Sequence, residues 1–368
     1  MNKNILIVGA GLSGSVLADK HANDGDNVTI IDKRNHIGGN VFDYYQEDGL
    51  LISKYGAHIF HTSDQEVWDY VNQFTTWLPY QHKVVSNVEG KIVPIPINID
   101  TVNKLLGTDI KSEDDMKRWL ELQTYKYTKE ARNSRDSAIN RMGPELYEKL
   151  IKNYTSKQWG VNPEALEASV LQRIPVRTDY NDRYFSDTYE GVPKYGYTRL
   201  VDSMLDHKNI SILLNKDYFK IKYSIPTYDR IYFTGKIDSY FNDKYGKLKY
   251  RSLKFKHEVL DQESYQSHAV VNYPEHNVEY TRIIEHKKIY NQSHKKTIIT
   301  KEYSSSTGEP YYPFPDAKNR AIYDKYKKLA LDSKDVVFVG RLANYKYFNM
   351  DQAIKNALDI YKQMKGSR

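Results

Sequence analysis

The stretch NILIVGAGLSGSVLADK, residues 4–20, decides the fold. An apolar run leads into Gly9, Gly11 and Gly14, which form the pattern G-x-G-x-x-G, and a plausible helix follows. In such a turn the first glycine permits the tight bend, the second lets backbone approach a pyrophosphate, and the third lets helix and strand pack closely. A second apolar run, VTIID, ends at Asp32, whose carboxylate can accept from a ribose hydroxyl. The order predicts a Rossmann-like dinucleotide-binding unit.

The stretch DKRNHIGGN, residues 32–40, bears on which dinucleotide this unit binds. Gly38 and Gly39 permit a second close approach of backbone to ligand directly after the acid. Many FAD proteins cover the cofactor in this way, whereas a simple NAD domain usually proceeds directly to another strand. The pattern therefore favours FAD, and we count Asn40 with the cofactor-binding residues.

Composition limits the class of protein. A chain of 368 residues predicts two or three domains. The net charge of +7 comes from Lys and Arg residues scattered among 47 acids, which favours a solvated surface, or a basic cleft for a small polyanion, over a nucleic-acid binder. The absence of cysteine excludes disulfides, thiolate metal sites and cysteine nucleophiles. Tyrosine occurs 33 times, so each one needs a motif around it before it indicates function.

Neither membrane insertion nor secretion is predicted. No window approaches the 18 or more apolar residues that a membrane helix requires. Met1 leads directly into a strand-like run, without the basic and apolar regions of a secretory signal. We therefore expect a cytoplasmic location.

The pattern changes after the opening unit. Residues 82–97 alternate apolar and polar around Glu89-Gly90, which predicts a hairpin. From Ser112, which with Asp115 resembles a capping box, apolar residues recur at helical spacing. This part of the chain is predicted to be a helical insertion.

Further along, a break at Gly143-Pro144 precedes another helix, and strands return beyond residue 230. These strands are RIYFTG, YRSLKF, HAVVNY, EYTRIIEHKKI and KTIITKEY. Charged residues alternate through the longer ones, which favours an antiparallel sheet with one wet face. A last strand, VVFVG, and a helix predict that the chain returns to complete the nucleotide-binding sheet.

The predicted fold class is therefore α/β, with a Rossmann-like FAD-binding domain, an inserted helical domain and an antiparallel β-sheet domain. The FAD-binding domain is predicted to be discontinuous, at residues 1–80, 185–240 and 328–368. The helical domain, with a mobile substrate loop, is placed at 100–184. The sheet domain takes 81–99 and 241–327.

A set of motifs in fixed order resembles the prokaryotic-type UDP-galactopyranose mutase family over nearly the whole chain. The motifs are DKRNHIGGN (32–40), KYGAHIFHT (54–62), YTSKQWG (154–160), IPVR (174–177), YFSD (184–187), YRSLKF (250–255), YTRIIEHK (280–287), TKEY (300–303), EPYYP (309–313) and GRLANYKYFNMDQ (340–352).

The resemblance implies a flavoenzyme that interconverts UDP-galactopyranose and UDP-galactofuranose, with reduced FAD but no net redox change. In the family's scheme, flavin N5 is the nucleophile that attacks the anomeric carbon and displaces the nucleoside diphosphate. The sugar ring opens, re-closes at either size, and the nucleotide returns. The cofactor thus takes the place of a side-chain nucleophile.

The resemblance also implies which residues hold the substrate. Arg177 and Arg282 match the family's diphosphate-binding arginines, and planar guanidinium groups that donate bidentately suit a departing diphosphate. We assign both a catalytic role. Tyr184, Tyr312 and Tyr347 match tyrosines whose phenols reach the phosphates.

Two aromatic residues of YTSKQWG complete the implied substrate site. Tyr154 and Trp159 match the aromatic part of the family's site, where a ring covers the uracil and the tryptophan sits on a loop that closes over it. A buried core tryptophan is the competing interpretation of Trp159.

The cofactor side of the implied site has four further residues. The family places the second histidine of HIFH, His61, beside the flavin ring, so we assign it a catalytic and a cofactor-binding role. His58 is counted among the cofactor-binding residues, in a packing role. His58 and His61 predict no metal site, because no third histidine or carboxylate pair lies nearby in the sequence. Arg341 matches a cofactor-contacting arginine that can balance negative charge on reduced flavin, and Met350 joins this set.

Two departures from the family's pattern affect the choice of sugar. Asn349 and Asp351 stand where family members often have aspartate and histidine. Lys194-Tyr195 precedes Gly196 where a Gly-Gly pair is common, and these larger side chains are expected to place bulk near the cofactor face. Neither departure touches the diphosphate arginines. They leave UDP-N-acetylgalactosamine and dTDP-fucopyranose open as alternative substrates.

A different class, an FAD-dependent oxidoreductase, fits the N-terminal half alone. The two arginines and YTSKQWG argue against it, because a hydride donor without a phosphate ligand does not need them. The resemblance further implies a homodimer, and NAD(P)H or another reductant that activates the flavin.

Overall fold

The computed structural model of the chain describes residues 2–127, 130–172, 174–333 and 335–366. The strands are β1 (Asn4–Val8), β2 (Asn27–Ile31), β3 (Asp43–Tyr45), β4 (Leu51–Ser53), β5 (Phe60–Thr62), β6 (Trp77–Pro79), β7 (Val84–Val88), β8 (Lys91–Ile95), β9 (Tyr189–Pro193), β10 (Ile210–Leu213), β11 (Arg230–Phe233), β12 (Tyr250–Leu260), β13 (Val270–Asn272), β14 (Arg282–Glu285), β15 (Thr297–Ser305), β16 (Tyr312–Pro313) and β17 (Val336–Phe338).

The helices lie between these strands, and within the described ranges five of them follow one another from β8 to β9 without an intervening strand. The helices are α1 (Leu12–Asn23), α2 (Gln65–Val71), α3 (Ile99–Leu106), α4 (Glu113–Thr124), α5 (Ser134–Leu146), α6 (Asn153–Trp159), α7 (Ser169–Gln172), α8 (Tyr197–Leu205), α9 (Tyr218–Ile221), α10 (Ile237–Tyr240), α11 (His286–Ile289), α12 (Ala317–Asp332), α13 (Gly340–Ala343) and α14 (Met350–Gly366). A π-helical stretch, Tyr147–Lys152, joins α5 to α6.

A parallel sheet carries the opening motif. Its strand order is β10-β2-β1-β11-β17, and every neighbouring pair is parallel. Ile5 and Ile7 of β1 pack into one core cluster, while Leu6 packs into another with Ile31 and Phe233. Because β1 is buried on both faces, its sequence is a continuous apolar run. The predicted strand, helix, strand order and the return of the last strand to this sheet are confirmed.

A larger sheet has the order β16-β12-β15-β14-β13-β7-β8. Its pairs are antiparallel except β13 with β7, which run parallel with Val270 opposite Val84. The predicted antiparallel sheet is therefore confirmed at every pair but this one. The chain between β7 and β13 makes a long excursion through other elements, so no tight hairpin dictates their relative direction.

The predicted hairpin within residues 82–97 is confirmed as β7 and β8. Its two turn residues, Glu89 and Gly90, both have positive φ, at 53° and 79°. That is the turn whose twist matches the twist of the two flanking strands.

The predicted helical insertion contains α3 to α7. The Ser112 side chain accepts from the Asp115 N–H at 3.2 Å, which confirms the predicted cap of α4. At Gly143 the backbone leaves helical geometry, with φ of 80° and ψ of 166°, so the predicted break before Pro144 is present as a kink within α5.

The segment EYTRIIEHKKI is only partly a strand. β14 ends at Glu285 and α11 begins at His286, so the prediction of a long strand was wrong in its second half. The buried His286 ring hydrogen-bonds Thr300 at 2.7 Å, and the Lys287 ammonium donates to the carbonyls of His294 and Lys296. These tertiary contacts fix a helical turn that charge alternation along the sequence cannot distinguish from a strand.

The fold class is α/β with a Rossmann-like unit, as predicted. The exact bounds of the three domains stay a prediction. Within the described ranges, no helix is both long enough and apolar enough to cross a membrane.

Candidate active site

The turn between β1 and α1 can be formed only by glycine at two positions. Gly9 has φ of +114°, and a Cβ there would lie 2.0 Å from Thr234 Oγ1. A Cβ on Gly14 would lie 2.0 Å from the carbonyl oxygen of Gly9. Contact with this carbonyl sets the distance between helix and strand, which is the role predicted for the third glycine.

The glycine turn at residues 9–14 and the second glycine pair, at residues 38–39, lie against each other. A Cβ on Gly39 would lie 2.9 Å from Gly11 Cα, and the Gly38 N–H donates to the carbonyl oxygen of Ala10 at 2.8 Å. The backbone of residues 38–39 therefore lies directly against the start of α1. Both segments present unsubstituted backbone at the positive end of that helix, where an anionic group is stabilised.

Asp32 closes this cradle from the end of β2. Its two carboxylate oxygens accept from the N–H groups of Ala10 and Arg34, each at 2.8 Å. The residue predicted to bind a ribose thus also holds the glycine turn in place. Each oxygen has further lone pairs with which to accept from a hydroxyl.

A cleft of about 420 Å³ opens above the cradle. It is lined by all the predicted cofactor-binding residues except His61. Those residues are Gly9, Gly11, Gly14, Asp32, Gly38, Gly39, Asn40, His58, Arg341 and Met350. The far wall, which includes Lys216, Tyr218, Phe219 and Ser239, was missed because no motif marks this part of the sequence.

The two histidines of HIFH have different surroundings. His58 lies on the cleft wall, and its Nδ1 bonds the carbonyl oxygen of Gly56 at 3.0 Å. Burial lowers the pKa of His58 to about 4, and the positive charge of Arg341 acts in the same direction. At neutral pH His58 is therefore an uncharged part of the wall.

His61 belongs to a second group of residues, which also includes Phe185 and Asp187. The His61 ring stacks on Phe185 with centroids 3.6 Å apart, and its Nδ1 lies 2.8 Å from Asp187 Oδ2. Burial raises the pKa of the nearby Asp351 carboxyl, on which the charges of His61 and Asp187 also act. Phe185 and Asp187 were missed as site residues, although both lie in the YFSD motif.

Arg282 is paired across two strands. It is opposite Glu302 in the register of β14 and β15, and its Nη2 donates to Glu302 Oε2 at 2.8 Å. Burial alone would lower the pKa of the guanidinium, but Glu302 and nearby phenols hold that pKa above its ordinary value. The Arg282 Nε is buried without a hydrogen-bond partner among the described residues. Such an orphaned donor is expected where an anionic ligand binds.

Two predicted tyrosines, Tyr154 and Tyr312, lie near this arginine, and a third, Tyr347, packs on Tyr312. Tyr312 and Tyr347 stack with centroids 5.1 Å apart, and the Tyr154 hydroxyl donates to Asn272 Oδ1 at 3.5 Å. Burial raises the pKa of Tyr154 and of Tyr312, and the charge of Arg282 lowers both. The phenols therefore stay protonated at neutral pH and are able to donate to phosphate oxygens.

Arg341 joins the cleft to this cluster. Its guanidinium carbon lies 5.5 Å from the centroid of the Tyr312 ring and 5.4 Å from that of Tyr347. It donates to the carbonyl oxygens of Tyr311 and Phe348, which anchors both tyrosine segments. The side chain predicted to contact the cofactor therefore also positions the phenols.

The remaining predicted substrate residues lie at the margin. Arg177 donates to the carbonyl oxygen of Asn181 at 2.9 Å, and within the described chain no hydrogen bond or ion pair joins it to Arg282. Tyr184 is 38% exposed, and its ring stacks edge-on against Phe185 at 5.0 Å.

Trp159 is a buried residue, as in the competing interpretation. It is 4% exposed and packs with Leu166 and Val170, and Tyr312 lies against the same cluster. Its role as a residue that closes over the substrate stays a prediction.

The departures at 194–196 do not add bulk to the cleft. The Tyr195 side chain is 55% exposed, with the Lys194 ammonium over its ring. Gly196 has φ of +86°, and a Cβ there would lie 2.6 Å from Asp43 Oδ2. The expectation of bulk beside the cofactor was therefore wrong, because Tyr195 faces solvent.

Two buried histidines predict a loss of stability in acid. Burial lowers the pKa of His82 and of His286 to about 3. The unfolded chain takes up these protons near pH 6.5, so stability is complete above that pH and falls as the pH drops toward 3. We expect the free energy of unfolding to fall by about 2 kcal/mol per histidine between pH 7.5 and pH 5.

Urea unfolding at pH 7.5, 6 and 5 measures this loss. The slope of unfolding free energy against pH gives the number of protons taken up on unfolding, and His286→Gln is expected to lower that number by about one. His276→Gln, at an exposed position, is the control and should leave it unchanged. A His286→Gln protein with the full wild-type pH dependence contradicts the prediction.

The parallel sheet and glycine cradle define a Rossmann-like nucleotide-binding protein, and residues 7–74 match the family model described as NAD(P)-binding Rossmann-like domain. Residues 149–347, which carry the arginine and tyrosine cluster, match the model of UDP-galactopyranose mutase. The chain belongs to the UDP-galactopyranose mutase family and is therefore an enzyme of the mutase class.

Relatives cover the chain along its length. A probable UDP-galactopyranose mutase of Klebsiella pneumoniae is 41% identical over 97% of this chain and 93% of its own length. A dTDP-fucopyranose mutase of Escherichia coli is 35% identical over 98% and 97%. A crystal structure of reduced UDP-galactopyranose mutase superposes with a TM-score of 0.80 at 15% identity, covering 100% of this chain and 95% of that one. This last match supports the fold.

Proposed function

We propose that this enzyme interconverts UDP-galactopyranose and UDP-galactofuranose with reduced FAD as cofactor. The observation that carries the proposal is that Arg341 lies between the cleft and the arginine and tyrosine cluster. Arg341 lines the cleft above the glycine cradle, and its guanidinium also lies against the rings of Tyr312 and Tyr347 beside Arg282. A ligand on each side of Arg341 would bring a nucleotide sugar and a cofactor together.

The residues present fit FAD. The cradle leaves no room for a side chain at Gly9, Gly14 or Gly39, as a diphosphate lying against backbone requires. The start of α1, together with Gly11 and Gly38, would hold the diphosphate, and Asp32 would hold a ribose. Reduced FAD, when bound there, supplies a nucleophilic nitrogen to the sugar and is recovered unchanged.

The cluster around Arg282 is proposed to hold the nucleotide diphosphate. The Arg282 guanidinium is permanently charged and has a buried, unpartnered Nε, so it is placed to donate to phosphate oxygens. Tyr154 and Tyr312 add neutral donors that carry no negative charge to repel a phosphate, and Tyr347, stacked on Tyr312, adds a third hydroxyl. Together they stabilise the diphosphate while it is detached from the sugar, and so keep it from diffusing away.

His61 and Arg177 have proposed roles that depend on the bound ligands. The His61 Nδ1 is engaged by Asp187, so Nε2 is the nitrogen that remains for the cofactor. Arg177 lies on the loop after α7 and is proposed to supply the second guanidinium when the substrate binds. Trp159 and Tyr184 would then close the same side of the site.

The identity of the sugar and its base needs a direct comparison. The Escherichia coli relative is a dTDP-fucopyranose mutase. Of the two substituted positions, Asn349 lines the cleft and Asp351 lies near His61 and Asp187. We propose the UDP-sugar as first candidate, since the relative named for it has the higher identity. The related dTDP-fucopyranose reaction is the second candidate.

The test is a ring-size assay on FAD-loaded protein reduced with dithionite. UDP-galactofuranose, UDP-N-acetylgalactosamine and dTDP-fucopyranose are incubated separately, and the products are resolved by chromatography. We expect conversion of UDP-galactofuranose only with reduced protein, without stoichiometric consumption of reductant. Equal conversion by oxidised protein, or protein that cannot be loaded with FAD, contradicts the proposal.

We also propose a homodimer in the cytoplasm, activated by NAD(P)H or another reductant. Sedimentation of the loaded protein tests the dimer. Anaerobic bleaching of the flavin absorbance by NADPH and by NADH tests the reductant.

A further inference from the structure

Lys157, in the middle of α6, extends its ammonium group into a ring of four backbone carbonyls. The Nζ atom donates to the carbonyl oxygens of Glu275, Val278 and Tyr280 at 3.0, 2.9 and 3.1 Å, and the carbonyl oxygen of Tyr273 is a fourth partner. An ammonium has three N–H groups, so four oxygens around it share its donors. The arrangement is that of carbonyl oxygens around a desolvated monovalent cation.

All four carbonyls belong to one loop, residues 273–281, which connects β13 to β14. Inside the loop, the Tyr273 N–H donates to the carbonyl oxygen of Thr281 at 2.9 Å, and the Val278 N–H donates to the carbonyl oxygen of Glu275 at 3.3 Å. Four inward carbonyl dipoles would repel one another if no cation stood between them, although the Glu275 carbonyl also accepts from the Val278 N–H. The positive charge at the end of the Lys157 side chain therefore stabilises this conformation of the loop.

The loop begins and ends at the substrate cluster. Asn272 and Arg282, the residues on either side of it, are directly opposite each other in the register of β13 and β14. Tyr154 lies three residues before Lys157 on α6, on the same face of the helix, and its hydroxyl donates to Asn272. One helix face thus contacts the hairpin at its base through a phenol and at its loop through an ammonium.

We propose that Lys157 is a positioning residue for nucleotide binding: its ammonium orders the 273–281 loop and thereby sets Arg282 against Tyr154. The inference rests on the proposed function, because it assigns Arg282 and Tyr154 to the nucleotide diphosphate. Lys157 is assigned to neither of the proposed ligands. It acts on the arginine through the backbone of the loop.

The test measures binding of UDP to FAD-loaded protein by calorimetry. Lys157→Ala is expected to weaken UDP binding by about ten- to a hundredfold, the range for loss of hydrogen bonds to a charged group. Hydrogen exchange within residues 273–281 should rise at the same time. Lys152→Met is the matched control, because the Lys152 ammonium, on the preceding helical turn, pairs with the exposed Glu148 and not with the 273–281 loop in the described part of the chain. That variant should bind UDP as the wild type does.

Chemical rescue separates the cation from the bulk of the side chain. n-Propylammonium chloride should restore UDP affinity and loop protection to Lys157→Ala, because the small ammonium fits the ring of carbonyls. Tetramethylammonium and sodium chloride at the same ionic strength should restore neither. If Lys157→Ala does not fold, Lys157→Met keeps the aliphatic stem and should show the same loss of UDP affinity and loop protection.

Wild-type UDP affinity in both variants contradicts the proposal. A loss of affinity with unchanged exchange in residues 273–281, or without any response to n-propylammonium, also contradicts it. The proposed function can fail separately. Wild-type protein that converts none of the nucleotide sugars overturns the mutase proposal, while loop protection and its rescue still test Lys157 without turnover.

Discussion

Replacing Arg282 with lysine is expected to lower kcat/KM for the nucleotide sugar by about a hundred- to a thousandfold. Lysine keeps the positive charge but loses the planar fork that donates to two phosphate oxygens at once. The shorter lysine side chain also no longer reaches Glu302, which Arg282 contacts at 2.8 Å, and leaves that buried carboxylate without a fitted partner. Initial rates with reduced, FAD-loaded protein, together with calorimetric UDP affinity, measure the loss.

An exposed arginine provides the control for Arg282. The Arg199 side chain is 67% exposed and pairs with Asp202 one turn along α8. Arg199→Lys is expected to leave kcat/KM within about twofold of the wild type, because exposed pairs contribute little. Turnover of Arg282→Lys that matches Arg199→Lys would remove Arg282 from the proposed diphosphate site.

Adding one methyl group at Gly14 is expected to destabilise the fold strongly, whereas the same change at Gly11 should affect only cofactor binding. The Cβ of Gly14→Ala would lie 2.0 Å from a backbone oxygen that cannot move without separating α1 from β1. At Gly11 the nearest atom is Gly39 Cα at 3.7 Å, an ordinary contact. The methyl group of Gly11→Ala would instead occupy the face that a pyrophosphate approaches.

Urea unfolding and retained flavin absorbance distinguish these two variants. Gly14→Ala is expected to lose about 3 kcal/mol or more of unfolding free energy, a large part of the stability of an ordinary domain. Gly11→Ala should unfold like the wild type without cofactor and yet bind FAD at least about tenfold more weakly. Full FAD affinity in Gly11→Ala contradicts the placement of the diphosphate against this turn.

The cofactor cleft was largely predictable because its residues lie close together in sequence. The cradle at residues 9–14, Asp32 and the second glycine pair all come from the first 40 residues, where turn chemistry and hydrophobic periodicity are local signals. His58, Arg341 and Met350 were predicted only through the resemblance to the family. No local signal marked Lys216 or Phe219 on the far wall, because their position depends on how β10 and α9 meet the sheet.

Pairing across the larger sheet was less predictable. The sequence gives no sign that β13 runs parallel to β7, since strand direction depends on the path of nearly 200 intervening residues. The same holds for Lys157, which reads as an ordinary solvated lysine until the loop after β13 folds around it. Register also decides that Glu302 faces Arg282.

By itself, the amino-acid sequence determined the nucleotide-binding unit and the order of strands and helices around it, because steric limits on glycine and the alternation of apolar residues act over a few positions. Only the tertiary structure decided which of the arginines, tyrosines and histidines meet. Arg282 lies near Tyr154 and Tyr312, and Tyr347 stacks on Tyr312, while Arg177 bonds its own loop. These side-chain contacts depend on strand register and on packing between segments that are distant in sequence, and no short stretch of sequence encodes either.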